Sequence, residues 1–167
     1  MFCCLRLPPR EMTELELLIN RVRQTSTCRI LPAAGHPRVD ARYVLPEDLA
    51  YFYELAGGAV LFEEAPFPFF IVGPHELLPS NPEIVGKPCL DDISSSWHIV
   101  ARDPNGDCLT IDLDRGRAGR CYDSFHETHG LIGQTPVIAR SFTELVHRLY
   151  EGGGQYPYWL HETLCPL

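Results

Sequence analysis

Apolar residues recur with helical spacing in three segments, the first of them near the start of the chain. Residues 11–24 carry apolar side chains at i, i+3, i+4 and i+7, the spacing of one buried helical stripe: Leu15, Leu18, Ile19 and Val22. Thr13 and Glu16 stand three residues apart, as in a capping box, where each side chain satisfies a free N–H group of the first turn. This segment is therefore predicted to be an amphipathic helix.

Two more segments have helix signals at both ends. Residues 45–55 have Pro46 at their second position, which suits a first turn because its missing N–H would have no partner there. Gly57 and Gly58 end this helix, since glycine readily takes the left-handed conformation of a helix C-terminus. The last helix is predicted to begin at Ser141, which has capping-box spacing to Glu144, and to stop at the glycines of residues 152–154.

Strand patterns fill the middle of the chain. Residues 59–62 and 69–72 are apolar runs on either side of a proline-containing turn, and residues 120–124 form a later strand. Residues 25–43 and 81–96 show turn-forming composition without a clear period, so both are predicted to be loops, and residues 75–78 are predicted to form a helical turn.

The strongest strand signal is a hairpin made by residues 97–102 and 108–112. Asn105-Gly106 between them supplies the left-handed turn residues that such a hairpin needs. Strict alternation predicts that one face carries Trp97, Ile99 and Ala101, and that the other carries His98, Val100 and Arg102.

The order of these elements predicts the fold class. Strands grouped together and flanked by helices indicate an α+β fold, here a mixed, mostly antiparallel sheet with helices packed on one side. The length of 167 residues fits a single domain, predicted to span residues 12–167, with residues 1–11 as a leader that need not be ordered. No apolar run reaches the roughly 20 residues of a membrane helix, so we expect no membrane association.

Charge and cysteine usage narrow the choice of partner and compartment. The formal net charge is −8, and residues 45–130 alone hold fifteen acidic and five basic side chains. Such a surface repels phosphate backbones and attracts basic partners, so a protein partner is expected and a nucleic acid is not. The seven cysteines are odd in number and include no C-x-x-C pair, which predicts free thiols and a cytoplasmic location.

Two constellations could carry catalysis or a metal, and neither has the full pattern. His126 and His129 stand three apart in H-E-x-H, one residue short of the spacing that zinc proteases use. Cys121 or Cys108 could pair with His126 or His98, but a strand cysteine is typically a small core residue. We therefore expect no catalytic residue, no metal and no cofactor.

Paired carboxylates offer a further candidate for acid–base chemistry. Glu63-Glu64 and Asp91-Asp92 lie in predicted loops, without a neighbour that would separate their pKa values, and Asp112 stands close to Asp114. All of these carboxylates are predicted to belong to solvated faces.

Several segments, in their order, resemble the SUKH superfamily, which includes regulators of the Smi/Knr type and bacterial immunity proteins. The resemblance covers residues 45–152. It rests on Leu45-Pro46 with its helix and Gly57-Gly58, on the hairpin with Gly106-Asp107, on residues 119–123, and on Ile138-Ala139 before Ser141-Phe142 and Leu145. The resemblance implies a SUKH-like α+β domain without catalytic residues, in which Gly57, Gly58, Gly106 and Trp97 are structural.

The resemblance also implies a function, which the charge pattern suits. We expect a bacterial immunity protein that binds and neutralises a cognate, basic toxin. Its partner-binding residues are predicted to be the loop acids and one neighbouring aromatic residue: Glu63, Glu64, Phe67, Asp91 and Asp92. The alternatives are a regulatory or scaffolding module of the Smi/Knr type, with an endogenous protein partner, and a metal- or thiol-dependent hydrolase.

Overall fold

The structure, a computed structural model, describes residues 11–161, so most of the predicted leader and the final residues, with Cys3, Cys4 and Cys165, lie outside it. Its helices are α1 (Glu14–Gln24), α2 (Glu47–Leu55), α3 (Ser80–Ile84) and α4 (Phe142–Glu151), with 3-10 turns at Ile93–Ser96 and Tyr158–Leu160. Its strands are β1 (Arg29–Ile30), β2 (Ala59–Leu61), β3 (Phe69–Ile71), β4 (Trp97–Arg102), β5 (Cys108–Asp112), β6 (Cys121–Ser124) and β7 (Val137–Ala139).

The strands pair in chain order into one sheet, β1-β2-β3-β4-β5-β6-β7. Every pairing among them is antiparallel, so the sheet of residues 11–161 is a pure meander and not a mixed sheet. The α+β class is confirmed. The short β1 and β7 strands were not predicted from the strand pattern, because two or three residues are too few to display a period.

The three longer helices cover one face of the sheet and build the main core with it. Helix α1 begins at Glu14, later than predicted, because Thr13 is its N-cap and both hydrogen bonds of the capping box are formed. At α4, only half of the second capping box forms. Ser141 accepts from the Glu144 N–H, whereas the Glu144 side chain accepts from the N–H of Arg140 instead.

The opposite face of the sheet is also covered, by α3 and the 3-10 turn at Ile93–Ser96. Both elements lie within residues 81–96 or at their edge, so the prediction of a continuous loop there was wrong. Pro82 stands within the first turn of α3, where its missing N–H needs no partner. Residues 75–78 form no helix, since α3 begins only at Ser80.

A β-bulge changes the faces predicted for β4. The register of β4 on β5 shifts between Ile99 and Ala101, so Val100 is an extra residue in the strand. Val100 and Ala101 both belong to the helix-side core, whereas Ile99 packs in the small cluster on the opposite face. The predicted grouping of Ala101 with Trp97 and Ile99 is therefore wrong.

On this opposite face of the sheet lies a buried polar network centred on Asp112. Its carboxylate is fully buried, so the prediction of a solvated Asp112 was wrong. The Arg117 guanidinium lies 2.8 Å away and supplies the opposite charge. The ring of Trp97 stacks on Tyr122 with centroids 3.9 Å apart, next to this carboxylate.

Candidate functional site

The meander brings one set of connections to the same end of the sheet. In an antiparallel meander, alternate connections leave the sheet at the same end. The β2–β3 connection, the β4–β5 turn and the chain after β6 therefore lie together. The 3-10 turn at Tyr158–Leu160 packs against this end, through a contact between the rings of Phe69 and Trp159 at 5.8 Å.

A cleft of about 320 Å³ opens between these segments. Its floor is apolar and is built from side chains that lie far apart in the chain: Phe69, Leu109, Phe125, Pro157 and Trp159. Two apolar side chains at its mouth are exposed, Phe67 by 42% and Leu160 by 69%. An apolar floor with exposed apolar side chains at the rim is typical of a binding site.

Three carboxylates line the same cleft: Asp103, Asp107 and Asp123. Oδ1 of Asp103 accepts hydrogen bonds from the backbone N–H groups of Asn105 and Asp107, and these bonds shape the β4–β5 turn. Oδ1 of Asp107 lies 2.8 Å from Nδ1 of His126. Oδ2 of Asp107 accepts no hydrogen bond from residues 11–161, so it is available to a partner.

Asp123 is the innermost of these carboxylates. Burial raises the pKa of its carboxyl, and the negative charges of Asp107 and Asp103 raise it further. A hydrogen bond of 2.8 Å from the Trp159 indole N–H to its Oδ2 partly opposes both effects. The cleft therefore combines aromatic surface with a negative field that favours a cation.

The predicted partner-binding residues divide between the two ends of the sheet. Glu63, Glu64 and Phe67 belong to the β2–β3 connection, and Phe67 lines the cleft. Glu63 pairs with Arg29 at 3.0 Å, and both side chains are more than half exposed. Asp91 and Asp92 are exposed in the β3–β4 connection, which leaves the sheet at its other end. The four acids therefore do not share one loop cluster.

The residues predicted to be structural have the following positions. A Cβ on Gly57 would lie 2.1 Å from the carbonyl oxygen of Pro32, so this approach of two backbones requires glycine. Gly58 packs beside Ile71, and Gly106 lies in the β4–β5 turn with a positive φ of 92°. Trp97 is fully buried on the face opposite the long helices.

The two histidines considered for metal binding have different environments. His126 is 62% exposed and paired with Asp107, which raises the pKa of its imidazole. His129 is buried, with Nε2 at 2.7 Å from Oδ1 of Asn81. Among residues 11–161, no group of three or more His, Cys, Asp or Glu side chains is arranged to hold a metal ion.

Burial is the main influence on both strand cysteines considered as nucleophiles. The thiol of Cys121 is buried and points to the carbonyl oxygen of Gly119, and burial raises its pKa well above the ordinary value. Cys108 shares a smaller cavity with His126, and burial raises its pKa too, although the Arg102 guanidinium at 3.3 Å from the sulfur partly opposes this effect. Both thiols therefore favour the neutral form, which is a poor nucleophile. His98 is buried and bonded to the carbonyl of Ser96.

Sequence reasoning missed most of the cleft. Asp103, Asp107, Asp123 and Trp159 were not predicted as site residues, because the cleft forms only when distant segments meet. One signal was available for part of it. In the predicted hairpin, the acidic residues Asp103 and Asp107 flank Asn105-Gly106, which places two carboxylates together at the tip.

The chain is 49% identical to the immunity protein YokJ of Bacillus subtilis (strain 168). The alignment spans 153 residues, which are 92% of this chain and 93% of that protein. No protein-family model matches the sequence, and no solved structure matches it. None of the helices in residues 11–161 has both the length and the apolar character needed to cross a membrane.

Proposed function

Because this chain belongs to the family of the immunity protein YokJ, we propose that it is itself an immunity protein, which binds and neutralises a toxin protein. The observation that carries the proposal is 49% identity over nearly the whole length of both chains. The action is non-catalytic and takes place in the cytoplasm of the producing cell. The domain is of the SUKH type, in keeping with the order of its segments from Leu45 to Leu145.

The charge distribution favours a basic toxin. The net charge of −8 is concentrated in residues 45–130. Complementary long-range fields accelerate association between proteins of opposite charge and weaken with salt. A toxin that acts on nucleic acid is commonly basic, since it must bind phosphate groups.

Neutralisation in cells tests the proposal directly. We expect a toxin gene next to the gene of this chain, and we expect the toxin domain to stop growth when it is expressed alone. Co-expression of this chain should restore growth, and the two purified proteins should elute as one complex. An unrelated acidic protein of similar size serves as the control. If growth stays arrested although both proteins are made, the proposal is wrong.

Charge reversal tests the predicted partner-binding acids. Replacement of Glu63, Glu64, Asp91 and Asp92 by lysine should lower the association rate with the toxin by about tenfold or more at low salt. The matched control replaces the same residues by Gln and Asn, which removes their charge without inverting it. It should lower the association rate by a smaller factor. Stopped-flow measurements at several salt concentrations give the rates. Equal association rates for all three proteins would refute the assignment of these residues.

A regulatory module of the Smi/Knr type remains the alternative function. It would show no neighbouring toxin gene, and it would co-purify with an endogenous protein complex.

A further inference from the structure

We propose that the cleft between the β4–β5 turn and the 3-10 turn at Tyr158–Leu160 receives an arginine side chain of the protein partner. The side chain would lie across the cleft, with its aliphatic stem along the aromatic floor and its guanidinium against Asp103 and Asp107 at the rim. This inference deepens and rests on the proposed function, since the partner is the toxin. It concerns a different surface from the predicted loop acids, and only Phe67 belongs to both.

The shape and polarity of the cleft favour this occupant. The floor is built from Phe69, Trp159 and Leu109, which offer apolar surface to a side-chain stem. Exposed Phe67 stands at the mouth, where a planar cation can lie over its ring. Long basic side chains bury an apolar stem while their charge stays at the polar edge. An apolar side chain would instead take the carboxylates out of water without supplying an opposite charge from the partner.

The carboxylates favour arginine over lysine. Asp103 and Asp107 stand at the two ends of one tight turn, where an N–H of Asp107 bonds to Oδ1 of Asp103 at 3.0 Å. Oδ2 of Asp103 accepts only a long bond of 3.4 Å from the Asn105 side chain, and Oδ2 of Asp107 accepts none within residues 11–161, so both oxygens can accept from a forked donor. A guanidinium offers several N–H groups in one plane and also stacks on aromatic rings, whereas an ammonium does neither as well.

The two tryptophans of the chain provide an internal test of binding. The Trp159 indole lies in the cleft, bonded to Asp123. The Trp97 indole is fully buried and bonded to Asp112 at 3.2 Å. In an NMR titration, the peptide acetyl-Gly-Arg-Gly-amide should shift the Trp159 indole resonance and leave that of Trp97 in place. The same peptide with citrulline, which has the shape of arginine without its charge, should give a much smaller shift.

Removal of charge at the rim is the decisive variant. Asp103→Asn with Asp107→Asn keeps the oxygen atoms that hold the turn and removes both charges. It should abolish the Trp159 shift and weaken toxin binding by at least about tenfold. Asp91→Asn with Asp92→Asn, the matched control, removes the same charge elsewhere and should retain the shift. The indole spectrum of each free variant shows whether the fold is intact.

Several outcomes would overturn the proposal. Equal shifts with arginine and citrulline would mean a purely apolar site, and an unshifted Trp159 would mean no site. A dimer of the free chain that the rim variant dissociates would identify a second copy as the occupant. If the rim variant still neutralises the toxin with unchanged affinity, the cleft proposal fails while the immunity function stands. If the wild-type chain does not neutralise the toxin, the immunity function fails, and the peptide titration still decides the cleft.

Discussion

Replacement of Asp112 by alanine should lower the free energy of unfolding by about 3–5 kcal/mol, because several buried donors lose their acceptor together and Arg117, which is 30% exposed, loses its opposite charge. Asp112 is fully buried, and its two oxygens accept five hydrogen bonds, from Ser96, Trp97, Asp114, Arg117 and Tyr122. Alanine would leave the Arg117 cation and the Trp97 indole N–H without this acceptor. A buried donor left without an acceptor costs its full desolvation penalty, which is more than the net benefit of one hydrogen bond.

Urea unfolding at pH 7, followed by circular dichroism, measures this loss. Asp114→Ala is the matched control, because Asp114 also lies near Arg117, at 3.6 Å, but is 44% exposed. Its removal should lower the free energy of unfolding by about 1 kcal/mol or less. Asp112→Asn keeps one acceptor oxygen and should give an intermediate loss, which keeps the test valid if the alanine variant does not fold. A midpoint for Asp112→Ala equal to that of Asp114→Ala would contradict the prediction.

The three longer helices could be predicted because their signals are local. The apolar stripe of α1 and its capping box depend on residues within one or two turns of each other, and both form. The β4–β5 hairpin could be predicted for the same reason, since Asn105-Gly106 and two flanking strands define it. Local patterns of this kind specify elements well, because the physical interactions that they encode lie within the same segment.

The burial of side chains on the sheet face opposite the long helices could not be predicted from the same patterns. Trp97 and Asp112 are direct cross-strand neighbours at the ends of the hairpin, so their contact follows from its register. Nothing in β5 itself indicates that Asp112 is buried, since groups from other segments, such as Ser96 of the 3-10 turn and Tyr122 of β6, surround its carboxylate. A carboxylate at a strand end is ordinarily exposed, and here tertiary packing changes its environment.

The residues of the cleft could not be predicted as one site, for the same reason. Phe67, Asp107, Asp123 and Trp159 come from four separate segments and meet only because the meander aligns alternate connections. The loop acids Glu63, Glu64, Asp91 and Asp92 could be found from composition alone. Their arrangement could not, because which end of a sheet a connection occupies depends on strand order.

Acidification should destabilise the fold through His129. Burial lowers the pKa of this imidazole from 6.5 to about 4. Its Nε2–H donates to Asn81, and Nδ1 is buried without a partner among residues 11–161, so a proton on Nδ1 would place an unpaired charge in the interior. The unfolded chain binds that proton below pH 6.5, and the folded chain binds it only near pH 4. Stability is therefore lost as the pH falls through this window, by about 3 kcal/mol in total.

The variant His129→Gln isolates this contribution, because glutamine can donate to Asn81 and does not titrate. Between pH 7 and pH 5, His129 should account for a loss of about 2 kcal/mol, which the variant should not show. His98 is also buried, and burial lowers its pKa, so some acid sensitivity should persist in the variant. His126→Gln is the control. Asp107 raises the pKa of exposed His126, so its removal should leave the acid-induced loss unchanged or slightly larger. An undiminished loss in His129→Gln would contradict the prediction, because it would show that the folded chain protonates His129 as readily as the unfolded chain does.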